Sequence, residues 1–276
     1  MVTNLLNLKT EIYLKPFTEK IRKGMLMELS NDEKERYERQ IRISELGREG
    51  QLKLKKARVT IAGAGGLGCP SSIYLAAAGV GQITVVDEGK VELSNLNRQI
   101  GHWSSDLEKF KTISLAEKAR RLNPNVRLKA STEGIEPETV SGLVSSSTVV
   151  LDCLDNWETR FVLNQACVEN RIPLVHAGIH SLYGQITTIL PGKGPCLRCI
   201  LPETPPLEDK IPVLGITAGV LGLLEALEAI KIITGIGEPL VGRILYFDGE
   251  TSSFYEIKVN RREDCPICGY RMKSSS

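Results

Sequence analysis

The sequence predicts an α/β protein with a Rossmann-like, doubly wound and mostly parallel sheet that continues into an antiparallel C-terminal part. Three observations carry this. Strand-like and helix-like patterns alternate from residue 58 to 177, a glycine-rich turn joins the first strand to a helix, and strand patterns that look antiparallel return after residue 183. The bulk numbers agree: 276 residues, 42% hydrophobic and 25% charged, with a formal net charge of +2. That profile excludes fibrous and disordered chains and leaves room for a deep core.

In chain order, Ser30 and Glu33 form a capping-box signature that opens a charged helical segment running to about Arg42. Residues 58–62 (RVTIA) read as a buried strand, 63–68 (GAGGLG) as a turn and 70–78 as a helix; 82–86 (QITVV) is the next strand, ending at Asp87. Residues 109–122 are helical, with Phe110, Ile113, Ala116, Ala119 and Leu122 three apart, and Asn123-Pro124 ends the run. Residues 126–130, 148–151 and 173–177 read as strands, with 158–170 as the helix between the last two. Residues 183–190 look antiparallel, 243–247 and 253–259 form a hairpin around Asp248-Gly249-Glu250, and 222–234 is an amphipathic helix. The expected organisation is an N-terminal extension over 1–29, a Rossmann-like nucleotide-binding half over 30–180, an antiparallel half over 181–270 and a tail over 271–276.

Balanced charge gives no reason to expect nucleic acid or an anionic membrane as a partner, although residues 1–60 hold 14 Lys/Arg against 9 Asp/Glu. The uncharged run 59–86 is long enough to span a bilayer, yet six glycines and Pro70 break it into strand, turn, helix and strand. The first twenty residues lack a long apolar stretch and carry acids, so no secretory signal is expected and the location reads as cytoplasmic.

Gly63, Gly65 and Gly68 form a GxGxxG after a strand and at the start of a helix, the context in which the motif cradles phosphates. Asp87 lies 19 residues beyond Gly68, where a carboxylate accepts from ribose hydroxyls. The motif alone does not separate a dinucleotide from ATP, and a purely structural glycine turn remains an alternative. Arg98, in Ser94-Asn95-Leu96-Asn97-Arg98-Gln99, and Lys111 add two cations that a triphosphate needs and a nicotinamide does not. Lys111 by itself is equally a solvated helix lysine. Asp152 and Asp155 end a strand pattern; Asp155 suits Mg²⁺ on phosphates or, alternatively, a helix cap.

Cys196 and Cys199, with Cys265 and Cys268, make two CxxC pairs that fit a closed, structural four-cysteine zinc site, completing the predicted fold class. A redox CxxC is the weaker alternative. Cys69, Cys153 and Cys167 read as core, and His102, His176 and His180 as structural or surface residues.

GAGGLGCP, the acid of VVDEG, SNLNRQ, the lysine of EKFKT, DCLDN and the late CxxC pairs together resemble the E1-like adenylyltransferases of the MoeB/ThiF/HesA family, over residues 30–270. The resemblance implies a homodimer that uses ATP and Mg²⁺ to adenylate the C-terminal Gly-Gly carboxylate of a ubiquitin-like sulfur carrier of the molybdopterin or thiamin type. It implies that Gly66 meets the nucleotide, Asp87 binds ribose, Asn95, Arg98, Gln99 and Lys111 bind phosphates, and Asp155, with Asn156 beside it, holds Mg²⁺. Arg39, in RYERQ, would reach the ATP of the other protomer. A C-terminal carboxylate with a pKa of about 3.5 is already ionised at neutral pH, so no general base is needed. Relatives that form a thioester keep a cysteine between the positions of Cys199 and Gly222; this sequence has none there, nor room for an appended sulfurtransferase domain. The expectation is therefore an enzyme that stops at the acyl-adenylate, with a separate protein as sulfur donor. Activation of another carboxylate (a protein modifier or a modified tRNA base), an NAD-dependent oxidoreductase and a non-enzymatic zinc-ribbon module are the alternatives.

Overall fold

A computed structural model describes residues 28–206 and 211–269. The expected extension up to residue 27, the tail and residues 207–210 lie outside it. The chain divides into two compact units, residues 1–39 and 40–276. In the first, Ser30 caps α1 (Asn31–Arg36): its hydroxyl accepts the Glu33 N–H at 3.1 Å, and the Glu33 carboxylate accepts the Ser30 N–H at 2.7 Å. The expected continuous helix breaks at Tyr37 and resumes as α2 (Glu38–Ile41).

The second unit is built on one sheet. Its elements are α3 (Gly47–Lys56), β1 (Arg58–Ala62), α4 (Gly68–Ala77), β2 (Gln82–Val86), α5 (Lys111–Leu122), β3 (Arg127–Ser131), α6 (Val140–Val144), β4 (Val149–Asp152), α7 (Trp157–Glu169), β5 (Leu174–His180), β6 (Tyr183–Ile189), α8 (Leu197–Ile200), α9 (Gly215–Thr234), β7 (Arg243–Asp248) and β8 (Ser253–Lys258). The strand order is β3-β2-β1-β4-β5-β6-β7-β8. Strands β1 to β5 pair in parallel and β6 to β8 antiparallel, so the parallel and antiparallel parts form a single sheet.

Val59, Ile61, Ile83, Val85 and Leu151 pack with Leu75, Leu115, Leu221 and Ala229 into one core. Ala62, Val150 and Leu174 pack with Val140, Leu163, Cys167 and the late cysteines into the other. Alternate β1 residues enter opposite cores, as the period of two requires.

The structure corrects three expectations. Helix α9 begins at Gly215 rather than 222. Gly222 sits within it because a Cβ there would lie 2.4 Å from the Leu67 carbonyl oxygen, so its bare backbone is what lets α9 approach α4. In α5 the buried residues are Thr112, Ser114, Leu115, Ala116 and Ala119, while Ile113 and Leu122 are exposed, because 3.6 residues per turn carries a strict three-residue stripe off the core face. Helix α3 carries too few apolar residues to announce itself, burying only Gly50, Gln51 and Leu54, and the five-residue α6 is too short to show a period. The buried Gln51 is satisfied by donating to the Ala78 carbonyl at 3.0 Å, at the end of α4.

Candidate functional site

The strand order reverses between β1 and β4, where an open α/β sheet leaves a crevice at its carboxyl edge. Register aligns Ala62, the last residue of β1, with Val86 and with Asp152. The glycine turn, Asp87 and the Asp152–Asn156 segment therefore leave the sheet side by side.

Two of the motif glycines are structural. Gly63 has φ +102°, and a Cβ on it would lie 2.5 Å from the Cys153 carbonyl oxygen; one on Gly68 would lie 1.9 Å from the Gly63 carbonyl oxygen. Gly65 faces open space, where an added Cβ would meet only Gln99 Nε2 at 3.7 Å. The N–H groups of Gly65, Gly66 and Leu67 donate to nothing among the described residues, and helix α4 starts directly behind them. Free amides ahead of a ten-residue helix fit an anion such as a phosphate.

The turn is held by its neighbours. Asp87 accepts from the Ala64 N–H through Oδ2 and from the Gly89 N–H through Oδ1, both at 2.8 Å. His102 Nε2–H donates to the Ala64 carbonyl at 2.9 Å, and its Nδ1 accepts from the Ser114 hydroxyl at 3.0 Å. Burial holds the His102 pKa below its ordinary value, which keeps the ring neutral and fit for these two roles. Lys118 in turn donates to Ser114 Oγ at 2.9 Å and pairs with the Asp106 carboxylate.

Among the expected phosphate-binding groups, Lys111 is half-buried at the start of α5, its Nζ 3.2 Å from where a Cβ of Gly89 would stand, beside Asp87. That ammonium makes no hydrogen bond or ion pair among the described residues. Arg98 is folded onto its own loop, donating to the Ser94 carbonyl at 2.8 Å and to Asn97 Oδ1 at 3.0 Å; its side chain also lies beside Gly66. Asn95 is buried and braces the loop, accepting from the Glu92 N–H at 3.0 Å. Gln99 is buried with Oε1 unpartnered, a polar atom that a bound ligand would satisfy. Arg39 is exposed on α2, in the first unit.

Asp155 is exposed, with no partner among the described residues, and it is not the cap of α7. That cap is Asn156, whose Oδ1 accepts from the Thr159 N–H at 2.9 Å, so the Asn156 side chain is committed to the helix. The other acid of the pair, Asp152, is fully buried and accepts from His176 Nδ1–H at 2.7 Å. Burial alone would raise its pKa; Arg160, 3.7 Å away, and the His176 hydrogen bond bring it below the ordinary value. Sequence reasoning passed over Arg160, whose signal is an arginine in the first turns of the helix that follows Asp155; His102, read as structural or surface, is buried and braces the glycine turn. His176 is likewise buried and His180 exposed.

The four late cysteines are buried, with all Sγ atoms within 4.8 Å of one another. Cys196 and Cys265 Sγ are 3.6 Å apart, and Cys199 and Cys268 3.3 Å. Tetrahedral zinc with Zn–S bonds of about 2.3 Å sets its sulfurs about 3.8 Å apart, so the set fits zinc with no open position. Burial opposes ionisation of Cys265, but the Cys268 and Ile267 N–H groups and the neighbouring thiols draw its pKa down to about 7. Asn164 Oδ1 accepts the Leu197 N–H at 2.9 Å, tying the first CxxC turn to α7. A cavity of about 450 Å³ between α7 and these turns is lined by Trp157, Phe161, Arg198 and Ile267 among others, and no residue of the glycine turn lines it.

Such geometry defines a class: doubly wound α/β proteins that seat a phosphate-bearing ligand at the switch point of the sheet, here with a metal-type cysteine clip across the C-terminal part. Residues 37–267 match the ThiF family, and the chain belongs to it. It is 42% identical over 261 residues to the adenylyltransferase and sulfurtransferase MOCS3 of Anopheles gambiae, covering 92% of this chain and 59% of that protein. It is 41% identical over 251 residues to the SAMP-activating enzyme E1 of Haloferax volcanii, covering 89% of this chain and 92% of that one. The chain thus spans about three-fifths of the length of the MOCS3 protein. In fold it resembles E. coli MccB, with a TM-score of 0.78 at 24% identity over 87% of this chain and 75% of that chain. No helix among the described residues is long and apolar enough to cross a membrane.

Proposed function

We propose that the protein is an ATP-dependent adenylyltransferase acting on the C-terminal Gly-Gly carboxylate of a ubiquitin-like sulfur carrier. The observation that carries this is the convergence of the free Gly65–Leu67 amides, Asp87, Lys111 and the unpartnered Asp155 at one crevice. An NAD-dependent oxidoreductase would leave Lys111 and Asp155 without a task.

In this reading Asp87 accepts from the ribose hydroxyls, and the amides and Lys111 hold the phosphates. Arg98 swings from its loop contacts to the triphosphate, and Arg39 serves the ATP of a second copy. One oxygen of the carrier carboxylate attacks the α-phosphorus; the bond from that phosphorus to the bridging oxygen breaks, and pyrophosphate leaves with the electron pair. The attacking group is already an anion, so the task of the protein is to offset charge rather than to move a proton. Mg²⁺, which Asp155 would hold, supplies further positive charge at the phosphates. Zinc in the cysteine cluster is structural.

One relative is by name an adenylyltransferase and sulfurtransferase and the Haloferax volcanii relative an activating enzyme E1, which supports adenylation as the reaction; a protein modifier in place of a sulfur carrier is the second reading. The carrier docks on the antiparallel half, where Phe254, Tyr255 and Ile257 of β8 are exposed. Pairing of two copies is supported by Leu93 (74% exposed), Ile100 (61%), Leu214 (51%) and Ile216 (72%), which flank the contact between Gly215 and the Asn97–Arg98 backbone. Sulfur comes from a separate donor. ATP–pyrophosphate exchange with small ubiquitin-like carriers, each beside a version lacking its terminal glycine, tests the proposal. Exchange that needs the intact tail is expected; silence with every carrier despite tight Mg·ATP binding moves the search to other carboxylates.

A further inference from the structure

Asp155 stands at the tip of a short connection between β4 and α7, and the buried groups beneath it fix the peptide that carries it. The Leu154 N–H donates to Asp152 Oδ1 at 3.2 Å, and the Leu154 carbonyl accepts from Nη2 of Arg160. The other arm of that guanidinium, Nη1, donates to the Ala177 carbonyl of β5 at 2.7 Å and lies 3.0 Å from His176 Nδ1. Arg160 is buried, with its charge opposed by Asp152 and its guanidinium 5.1 Å from the centre of the Trp157 ring. A buried cation spanning two carbonyls is costly unless every contact is kept, so it has few alternative poses.

We infer that Arg160 is a positioning residue for Asp155: by bridging Leu154 to β5 it holds the Leu154–Asp155 peptide so that the Asp155 carboxylate faces the divalent cation accompanying ATP. Arg160 itself touches neither the cation nor the nucleotide. The inference rests on the reading of Asp155 as the Mg²⁺-holding residue, and its test separates the two.

The measurement is ATP binding to the full chain by calorimetry, with Mg²⁺ and in buffer freed of divalent cations beforehand with no chelator present, reading the factor by which Mg²⁺ tightens binding. Arg160→Lys keeps the charge against Asp152, but one ammonium does not reproduce the planar bridge. R160K is expected to lose about tenfold of the Mg²⁺-dependent tightening. Its binding of ATP without Mg²⁺ and its zinc content stay as in the wild type. In the double variant with Asp155→Asn, R160K adds nothing further. If R160K keeps the full tightening, Arg160 is structural only and the inference falls. If Asp155→Asn keeps it, the Asp155 reading fails first and takes the inference with it. His176→Leu, which removes the donor holding Asp152 Oδ2 opposite the guanidinium and leaves Arg160 itself in place, serves as a second variant should R160K not fold; it is expected to lower the same factor less, and an unchanged factor counts against the inference.

Discussion

The carboxylate of Asp87 accepts the Ala64 N–H at 2.8 Å, so the acid at the end of β2 grips the glycine turn that follows β1 before any ligand arrives. One Asp87 oxygen is committed to the Ala64 N–H and the other to Gly89, and each keeps a lone pair for a ribose hydroxyl. Asp87→Asn places an NH2 against one of those two donors. It is expected to weaken ATP binding about 10- to 100-fold, the size of one or two charge-assisted hydrogen bonds. Calorimetry reads this directly, and unchanged affinity would remove Asp87 from the site.

The cysteine cluster joins residues far apart in the chain. Cys196→Ser should lower zinc content and thermal midpoint together, because metal binding and folding are coupled. A loss of about one zinc per chain by metal analysis, with a midpoint lower by at least several degrees, is expected. Full zinc content in C196S would show that the four sulfurs do not act as one site.

Glu225 is buried on α9 and accepts the Cys153 thiol at 3.2 Å, with Oε1 unpartnered. Burial raises its pKa well above the ordinary 4.5, so the folded protein keeps it protonated. Above about pH 4.5 the unfolded chain loses that proton while the folded one retains it, so this group destabilises the fold increasingly as pH rises. Glu225→Gln removes the effect. Its urea-unfolding free energy should exceed that of the wild type by an amount that grows by up to about 1.4 kcal/mol per pH unit from pH 5 upward. A difference that does not change with pH would mean that Glu225 is ionised in the fold.

His102 and His176 act in the opposite direction. Burial lowers both below the ordinary 6.5, so below that pH the unfolded chain takes up protons that the folded one refuses, and stability falls as pH falls. Asp152, depressed from 3.8, adds to acid unfolding only near and below pH 4. His102→Gln keeps a donor for the Ala64 carbonyl and is expected to take up to about 1.4 kcal/mol per pH unit off the slope of stability between 6.5 and 5, half of the two histidines' share. An unchanged slope would place the titration elsewhere.

Much of this was legible in the sequence, and the limits have physical causes. The strands showed because buried parallel strands are continuous apolar runs, as in RVTIA and QITVV. The glycine turn, Asp87 and the paired CxxC units showed because their spacing is fixed by chain geometry. The start of α9 did not, since its glycines read as loop until the Arg98 loop is there for Gly215 and the start of α4 for Gly222 to pack against. Nor could the sequence apportion Asp152, Asp155 and Asn156: all three suit a strand end, and only the register of β4 with β5 sends Asp152 inward to His176, leaves Asn156 to cap and frees Asp155.

The same burial decides whether the activated carrier becomes attached to the enzyme. Cys69, Cys153 and Cys167 are buried, and burial raises all three thiols, Cys69 to about 12. A buried thiol held that high offers almost no thiolate at neutral pH. The other four cysteines are those of the cluster, where zinc would occupy each sulfur. Incubation with ATP, Mg²⁺ and a cognate carrier should therefore yield acyl-adenylate and pyrophosphate without a covalent enzyme adduct by intact-mass measurement. Brief iodoacetamide treatment of the native protein should likewise leave Cys69, Cys153 and Cys167 unmodified until urea exposes them. A thiol-sensitive adduct mapping to Cys167 would overturn this, and would require α7 to open in a way that its packing against Leu174 and Val150 opposes.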